Sequence, residues 1–296
     1  MKRRLPIGIQ DFVKIREGDY AYVDKTAHIH RLITGSEGAF FLSRPRRFGK
    51  SLLCSTIRAI FEGRRDLFGG IRGFPALAID SLEWDWKKRP VIRLDLNAGV
   101  YSNGVEKLHS ALSREIKREA GKQGGVLDDE DCINQFAGLI EKSCDKTGEK
   151  VVVMIDEYDK PMLGTIDDPE LHVKIRDELK GFYGVLKSYD EYLKFVFLTG
   201  VTKFSHVSIF SDLNHMTDLT LDPNYANICG ITQEELETCF APEIESISKE
   251  TGRGRGEYLL PWEGSGKRLF KVGVSFDGEK RNIGEWLGKR PVARKR

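Results

Sequence analysis

The sequence predicts an α/β fold in which a parallel sheet carries helices on both faces. Two observations lead there. Strand-like and helix-like segments alternate along the chain, a pattern that calls for parallel strands joined by helices. The run at 150–155, KVVVMI, is β-branched, apolar and too short for a helix, so it reads as a buried strand.

Residues 5–33 precede the first strand of that pattern. A β-prone run at 20–23 is followed by Thr26, suited to cap a helix whose apolar positions are Ile29, Leu32 and Ile33. His28 and His30 stand two apart, which on a helix sends them to different faces, so solvated histidines are expected rather than a metal pair. The run at 39–42 suits a buried strand, and Leu52, Leu53, Ile57, Ile60 and Phe61 then recur at helical spacing. A glycine-rich connection at 63–73 follows. Trp84 and Trp86 are read as packing residues.

The run at 91–96, VIRLDL, reads as a strand with Ile92, Leu94 and Leu96 on one face and Arg93 and Asp95 on the other. Helices are expected at 105–120, on Leu108, Leu112 and Ile116, and at 131–144, with the turn-forming GKQGG between them. After the strand at 150–155, Asp168 caps a helix that has Pro169 at its first position and runs to about Tyr189. A strand at 195–198 ends in Thr199-Gly200-Val201-Thr202. Thr232 with Glu235 makes a capping box for a helix over 233–240.

The chain has 296 residues, 40% apolar and 31% charged, which are values of a globular protein with ample length for a core. The net charge of +2 implies no particular partner, but it is unevenly spread. Residues 252–296 hold 12 Lys and Arg against 5 Asp and Glu, so the preceding body is acidic. Five cysteines in no C-x-x-C pair point to a reducing, cytoplasmic compartment. The expectation is no membrane span, since no apolar run approaches the required length, and no secretory signal at the N-terminus.

Chemistry concentrates at two places. Between the strand at 39–42 and the next helix lies RRFGKS, where Gly49, Lys50 and Ser51 have the character of a phosphate-binding loop. Gly49 lets the backbone approach an anion, Lys50 reaches phosphates, and the Ser51 hydroxyl ligates magnesium. The following helix directs its N–H groups to the same place. Arg46, Arg47, Phe48, Gly49, Lys50, Ser51 and Leu52 are the expected nucleotide-binding residues, with Arg44 where a glycine usually opens the loop. The second place is the end of the 150–155 strand. Asp156 there is expected to hold magnesium beside Ser51, and Glu157 to deprotonate an attacking water. Thr199 or Thr202 could contact the γ-phosphate or that water, or satisfy local backbone groups. Arg44, Arg46 and Arg47 could bind phosphates, pair with acids or meet nucleic acid. The pairing of the two motifs makes an ATP and Mg²⁺ site the expectation, with Lys50, Glu157 and Thr199 as its catalytic residues.

These segments resemble the bacterial and archaeal AAA-ATPase-like proteins whose P-loop domain usually precedes a PD-(D/E)xK nuclease-like domain. The pieces that match are LPIGIQDF, YVDKT, FLSRPRRFGKSLL, VVVMIDEYDKPM, FLTGVTKFSHVSIFSDLNHMTDLTLDP and YANICGITQEEL. The resemblance covers about 5–250, and an arginine at the first loop position is usual in that family. It implies a P-loop NTPase fold of the type with an additional strand between the loop strand and the Walker B strand. It also implies that the IGI and YVDK segments lie near the base and ribose.

Past residue 250 the resemblance stops. A first domain at 1–250 and an atypical, poorly structured Gly-rich basic tail at 251–296 are expected, with no PD-(D/E)xK pattern. The tail fits a shifted reading frame better than a basic arm for nucleic acid. An ATPase is the leading expectation. A non-catalytic ATP-dependent switch or scaffold, or a degenerate fragment of a nuclease-linked ATPase acting on nucleic acid, is the alternative. Nucleic acid and a homo-oligomer stay open as partners, and Arg176 and Arg253 are candidates for an arginine finger only because they are basic.

Overall fold

The computed structural model describes residues 4–35, 38–71, 75–99, 101–127, 129–202 and 216–251, with the backbone of 260–262, 269–271, 273–276 and 279–282. Its centre is a five-stranded sheet of β1 (Gly38–Ser43), β2 (Val91–Asp95), β3 (Val151–Asp156), β4 (Leu193–Gly200) and β5 (Met216–Asp218). All pairings are parallel and the order is β2-β3-β4-β1-β5. The strand that enters the Gly-Lys-Ser loop is therefore separated from the strand that ends in Asp156 by β4, as expected of the additional-strand type.

β1, β3 and β4 bury both faces, while β5 at the edge has no buried residue. On β3, Val151, Val153 and Ile155 join one core while Val152 and Met154 join the other. Phe41 of β1 and Val196 and Leu198 of β4 face the first core, and Phe40, Leu42, Phe195 and Phe197 the second. The first core is closed by α4 (Val105–Lys122), α5 (Cys132–Thr147) and α7 (Pro169–Ser188). The second is closed by α1 (Phe12–Glu17), α2 (Thr26–Gly35) and α3 (Lys50–Phe61). Burying a side chain such as Phe41 or Ile155 contributes about 2 kcal/mol, so the two layers and the sheet hold together mainly by this apolar packing.

Capping chemistry sets several helix ends as read from the sequence. Asp168 accepts from the Leu171 N–H ahead of Pro169, and Thr232 and Glu235 form the reciprocal box at α8 (Gln233–Cys239). Trp84 and Trp86 pack edge-on or tilted against Phe61 and Phe68.

Other elements differ from the reading. Residues 20–23 form no strand; Tyr20 makes a lone bridge to Arg4. Thr26 opens α2 but does not cap it. Asp24 accepts from the Thr26 N–H, and the Thr26 hydroxyl accepts from Ile79 N instead. His28 and His30 are half-buried rather than solvated, and His30 Nε2 bonds the Glu83 carbonyl. Arg93 stands on the face opposite Ile92 and Leu94, as read, and is half-buried there. α1, α6 (Lys160–Leu163), β5 and α9 (Ala241–Thr251) are additions. They are too short or too weakly patterned to stand out alone. The tail expectation falls largely on residues outside the described set. Its described residues pair as two small antiparallel sheets, Leu260–Trp262 with Leu269–Lys271 and Gly273–Phe276 with Glu279–Asn282.

Candidate functional site

A parallel sheet collects the carboxyl ends of its strands along one edge, where ligands bind. Here that edge brings together the loop after β1, the turn after β3 and the end of β4. The loop is held on both sides: Arg44 N donates to Gly200 O at 3.1 Å, and Ser43 N donates to Thr220 Oγ1 at 3.1 Å. Gly49, at φ 91°, turns the chain into α3, which starts at Lys50. That backbone angle favours glycine, and a Cβ added there would meet nothing within 4 Å.

Lys50 is the first residue of α3 and is only 3% exposed. Its Nζ donates to the carbonyls of Arg44 at 3.1 Å and Pro45 at 3.4 Å, and lies 3.1 Å from Glu157 Oε1. A buried ammonium is thus wrapped by loop oxygens and one carboxylate, which supply the charge and bonds it needs away from water. Ser51 and Leu52 are half-buried in the first turn of α3.

Arg44 is committed to backbone oxygens. Its guanidinium donates to the carbonyls of Ser43, Thr220 and Tyr225, tying the loop to the residues beyond β5. Burial lowers its pKa. An arginine can replace the usual first glycine here because its side chain turns away to bond neighbouring carbonyls. Arg46 and Arg47 are exposed, and Phe48 is half-buried with its carbonyl accepting from Gly230 N. Arg47 has φ 63° and Glu157 φ 57°. Non-glycine residues held left-handed cost free energy, and one stands in each of the two segments that meet at Lys50.

Asp156 ends β3 and is 1% exposed. Thr199 Oγ1 donates to its Oδ1 at 2.6 Å, and Arg93 Nη2 donates to its Oδ2 at 3.1 Å. Thr199 is itself fully buried, so its hydroxyl holds the carboxylate. Thr202 plays a different part. The Asp159 carboxylate accepts from Val201 N, Thr202 N and Thr202 Oγ1 at 2.9, 2.7 and 2.8 Å. Tyr158 adds a bond from its N–H to Thr199 O and one from its hydroxyl to Thr202 O. The turn that carries Glu157 is therefore clasped to the end of β4.

Arg93 and Asp159 escaped the sequence reading. Arg93 lies 63 positions before Asp156, and only the strand order makes them neighbours. Asp159 belongs to the acidic string after the 150–155 strand, which gave a signal without a role. Arg176 bonds its neighbour Asp177 and is half-buried, while Arg253 lies outside the described residues, as do residues 203–215 of the long β4 motif. At the N-terminal side, Leu5 and Val23 pack on Leu236, Phe240 and Ile244, and Lys25 pairs with Glu235 at 2.5 Å. The segment expected near a base is anchored to α8 and α9 in this way. Among the described residues no group of three His, Cys, Asp or Glu could by itself hold a metal ion.

The profile of the family described as "Predicted AAA-ATPase" matches residues 6–210, well over half of the chain. The chain belongs to that predicted AAA-ATPase family. Its fold is that of a P-loop NTPase, with the parallel order and the loop between β1 and α3 described above. A curated relative, the "Uncharacterized protein in vnfD 5'region" of Azotobacter chroococcum mcd 1, is 39% identical over 252 residues. That match covers 84% of this chain and 47% of the relative, so the chain spans about half the relative's length. A solved structure of Drosophila ORC bound to poly(dA/dT) DNA and Cdc6 aligns over 79% of this chain and 32% of that one. The alignment has 10% identity and a TM-score of 0.36. No helix among the described residues is long and apolar enough to cross a membrane.

Proposed function

We propose that this member of the family binds ATP with magnesium through the loop of Arg46, Arg47, Phe48, Gly49, Lys50, Ser51 and Leu52, and hydrolyses it. The observation that carries the reading is the buried Lys50 ammonium at the start of α3, facing Glu157 from the end of β3. Its present partners are two carbonyls and a carboxylate, all of which phosphate oxygens can replace without leaving a buried cation unpaired.

The donor set fits magnesium. The Ser51 hydroxyl sits in the first turn of α3 and Asp156 ends the second strand over, an arrangement of one hydroxyl and one carboxylate beside a phosphate site. Both Asp156 oxygens are engaged, which favours contact through water. When bound, the ion neutralises developing charge on the phosphate oxygens.

The chain's own groups do the rest. Lys50 binds and neutralises phosphate, and the first N–H groups of α3 point the same way. Once phosphate engages Lys50, Glu157 loses its ammonium partner and becomes free to take a proton from water. Thr199 acts as a positioning residue that fixes Asp156. Arg46 and Arg47, exposed on the loop, contribute positive charge to a polyphosphate. The reading is tested by titrating ATP into the wild type and Lys50→Ala while measuring phosphate release. Specific binding lost in the variant is expected; equal binding in both would refute it. Binding without phosphate release would instead favour a non-catalytic switch.

A further inference from the structure

Asp156 has no uncommitted oxygen. Thr199 takes Oδ1, and Arg93, reaching across from the edge strand β2, takes Oδ2. The register places Arg93 beside Met154 and Asp95 beside Asp156. Side chains two apart on a strand share a face, so Arg93 and Asp95 both stand on the α3 side next to this carboxylate. A carboxylate this deeply buried needs a counter-charge, and Arg93 provides one.

The hold is incomplete. Arg93 makes one 3.1 Å bond to Asp156, and its Nε–H is buried without an acceptor. Arginine–carboxylate pairs are frequently bidentate, with two parallel bonds, and this one is not. Asp95 offers a second acidic group, whose Oδ1 accepts from Asn97 N at 2.9 Å while its Oδ2 accepts no hydrogen bond among the described residues.

We propose that Arg93 is the resident counter-cation of Asp156 and competes with the divalent metal for it, shifting toward Asp95 when the metal ion arrives. This rests on the reading of Asp156 as the carboxylate that faces the metal. Two cations drawn to one buried carboxylate repel each other, so each weakens the other's hold. The magnesium requirement for nucleotide binding is therefore set in part by a side chain on β2. By reciprocity, the metal loosens Arg93 by the same factor.

The test is a magnesium titration of fluorescent ATP-analogue binding by the full chain, in the wild type, Arg93→Gln and Asp95→Asn. Arg93→Gln removes the competitor, and its half-saturating magnesium concentration falls by about fivefold or more. Asp95→Asn removes the alternative partner for the guanidinium, and its half-saturating concentration rises. Magnesium without nucleotide should also raise the melting temperature of Arg93→Gln more than that of the wild type. Unchanged magnesium dependence in Arg93→Gln would overturn the proposal. Should that variant not fold, an unshifted Asp95→Asn overturns it equally. A wild type that binds no nucleotide removes the ATP reading itself, whereas intact binding with unshifted magnesium dependence removes only this one.

Discussion

Lys50 Nζ lies 3.1 Å from Glu157 Oε1, so the residue proposed to bind phosphate and the one proposed to activate water are paired with each other. Phosphate must break that pair before either residue can act. Lys50→Ala should therefore abolish detectable ATP binding. Glu157→Gln should bind ATP at least as tightly as the wild type, because Lys50 no longer has to leave a carboxylate. Its turnover should fall by about 10² to 10⁴. Isothermal titration beside a phosphate-release assay checks both, and wild-type turnover in Glu157→Gln would remove the base role.

Asp159 is completely buried and accepts three hydrogen bonds from Val201 and Thr202. Asp159→Ala leaves those donors without an acceptor and should cost about 3 kcal/mol of stability in urea unfolding. Gly200→Ala should damage the same clasp from the other side. A Cβ there would lie 2.4 Å from the Tyr158 ring and 2.9 Å from Asp159 Oδ1. Wild-type stability in both variants would show that the clasp is not a fixed feature of the fold.

Lys25 joins the N-terminal segment to α8 through Glu235, 210 positions away, with a side chain only 9% exposed. Lys25→Met keeps the length and removes the charge, leaving Glu235 partly buried with its capping bonds alone. A loss of about 2 kcal/mol is expected. It should shrink when Glu235→Gln is combined with it, as a double-mutant cycle would read. Additive losses would mean the pair is not coupled.

His28 is held below the usual histidine pKa, first by burial and then by the charge of Lys25. Its Nδ1 is buried without a partner. The folded protein thus binds this proton less readily than the unfolded chain does. Stability should be complete above the unfolded histidine value and should fall as the pH drops below it. Urea midpoints at pH 7.5 and 5.5 should differ less in His28→Gln than in the wild type. An identical pH dependence would assign the effect to other groups.

Much of the architecture was legible because buried parallel strands need apolar runs and their crossovers need amphipathic spacing. The runs at 150–155 and 195–198, the Asp168-Pro169 start and the Thr232–Glu235 box all became the elements expected. β5 was not legible. It is three residues long and owes its place to pairing with β1. The β-prone run at 20–23 failed for the opposite reason, since β propensity without a partner strand makes no sheet.

The sequence by itself determined the parallel α/β class and the proximity of RRFGKS to the end of the Asp156 strand. Gly49, Lys50 and Ser51 are local in the chain, and a buried strand before a helix leaves few folds for them. Only the tertiary structure decided the partners. It turned Arg44 away to bond carbonyls beyond β5, put the Thr199 hydroxyl on Asp156, and brought Arg93 to the same carboxylate from the edge strand. Those contacts depend on strand order and register. No local pattern encodes these, because they emerge only when the separate apolar faces pack into one sheet.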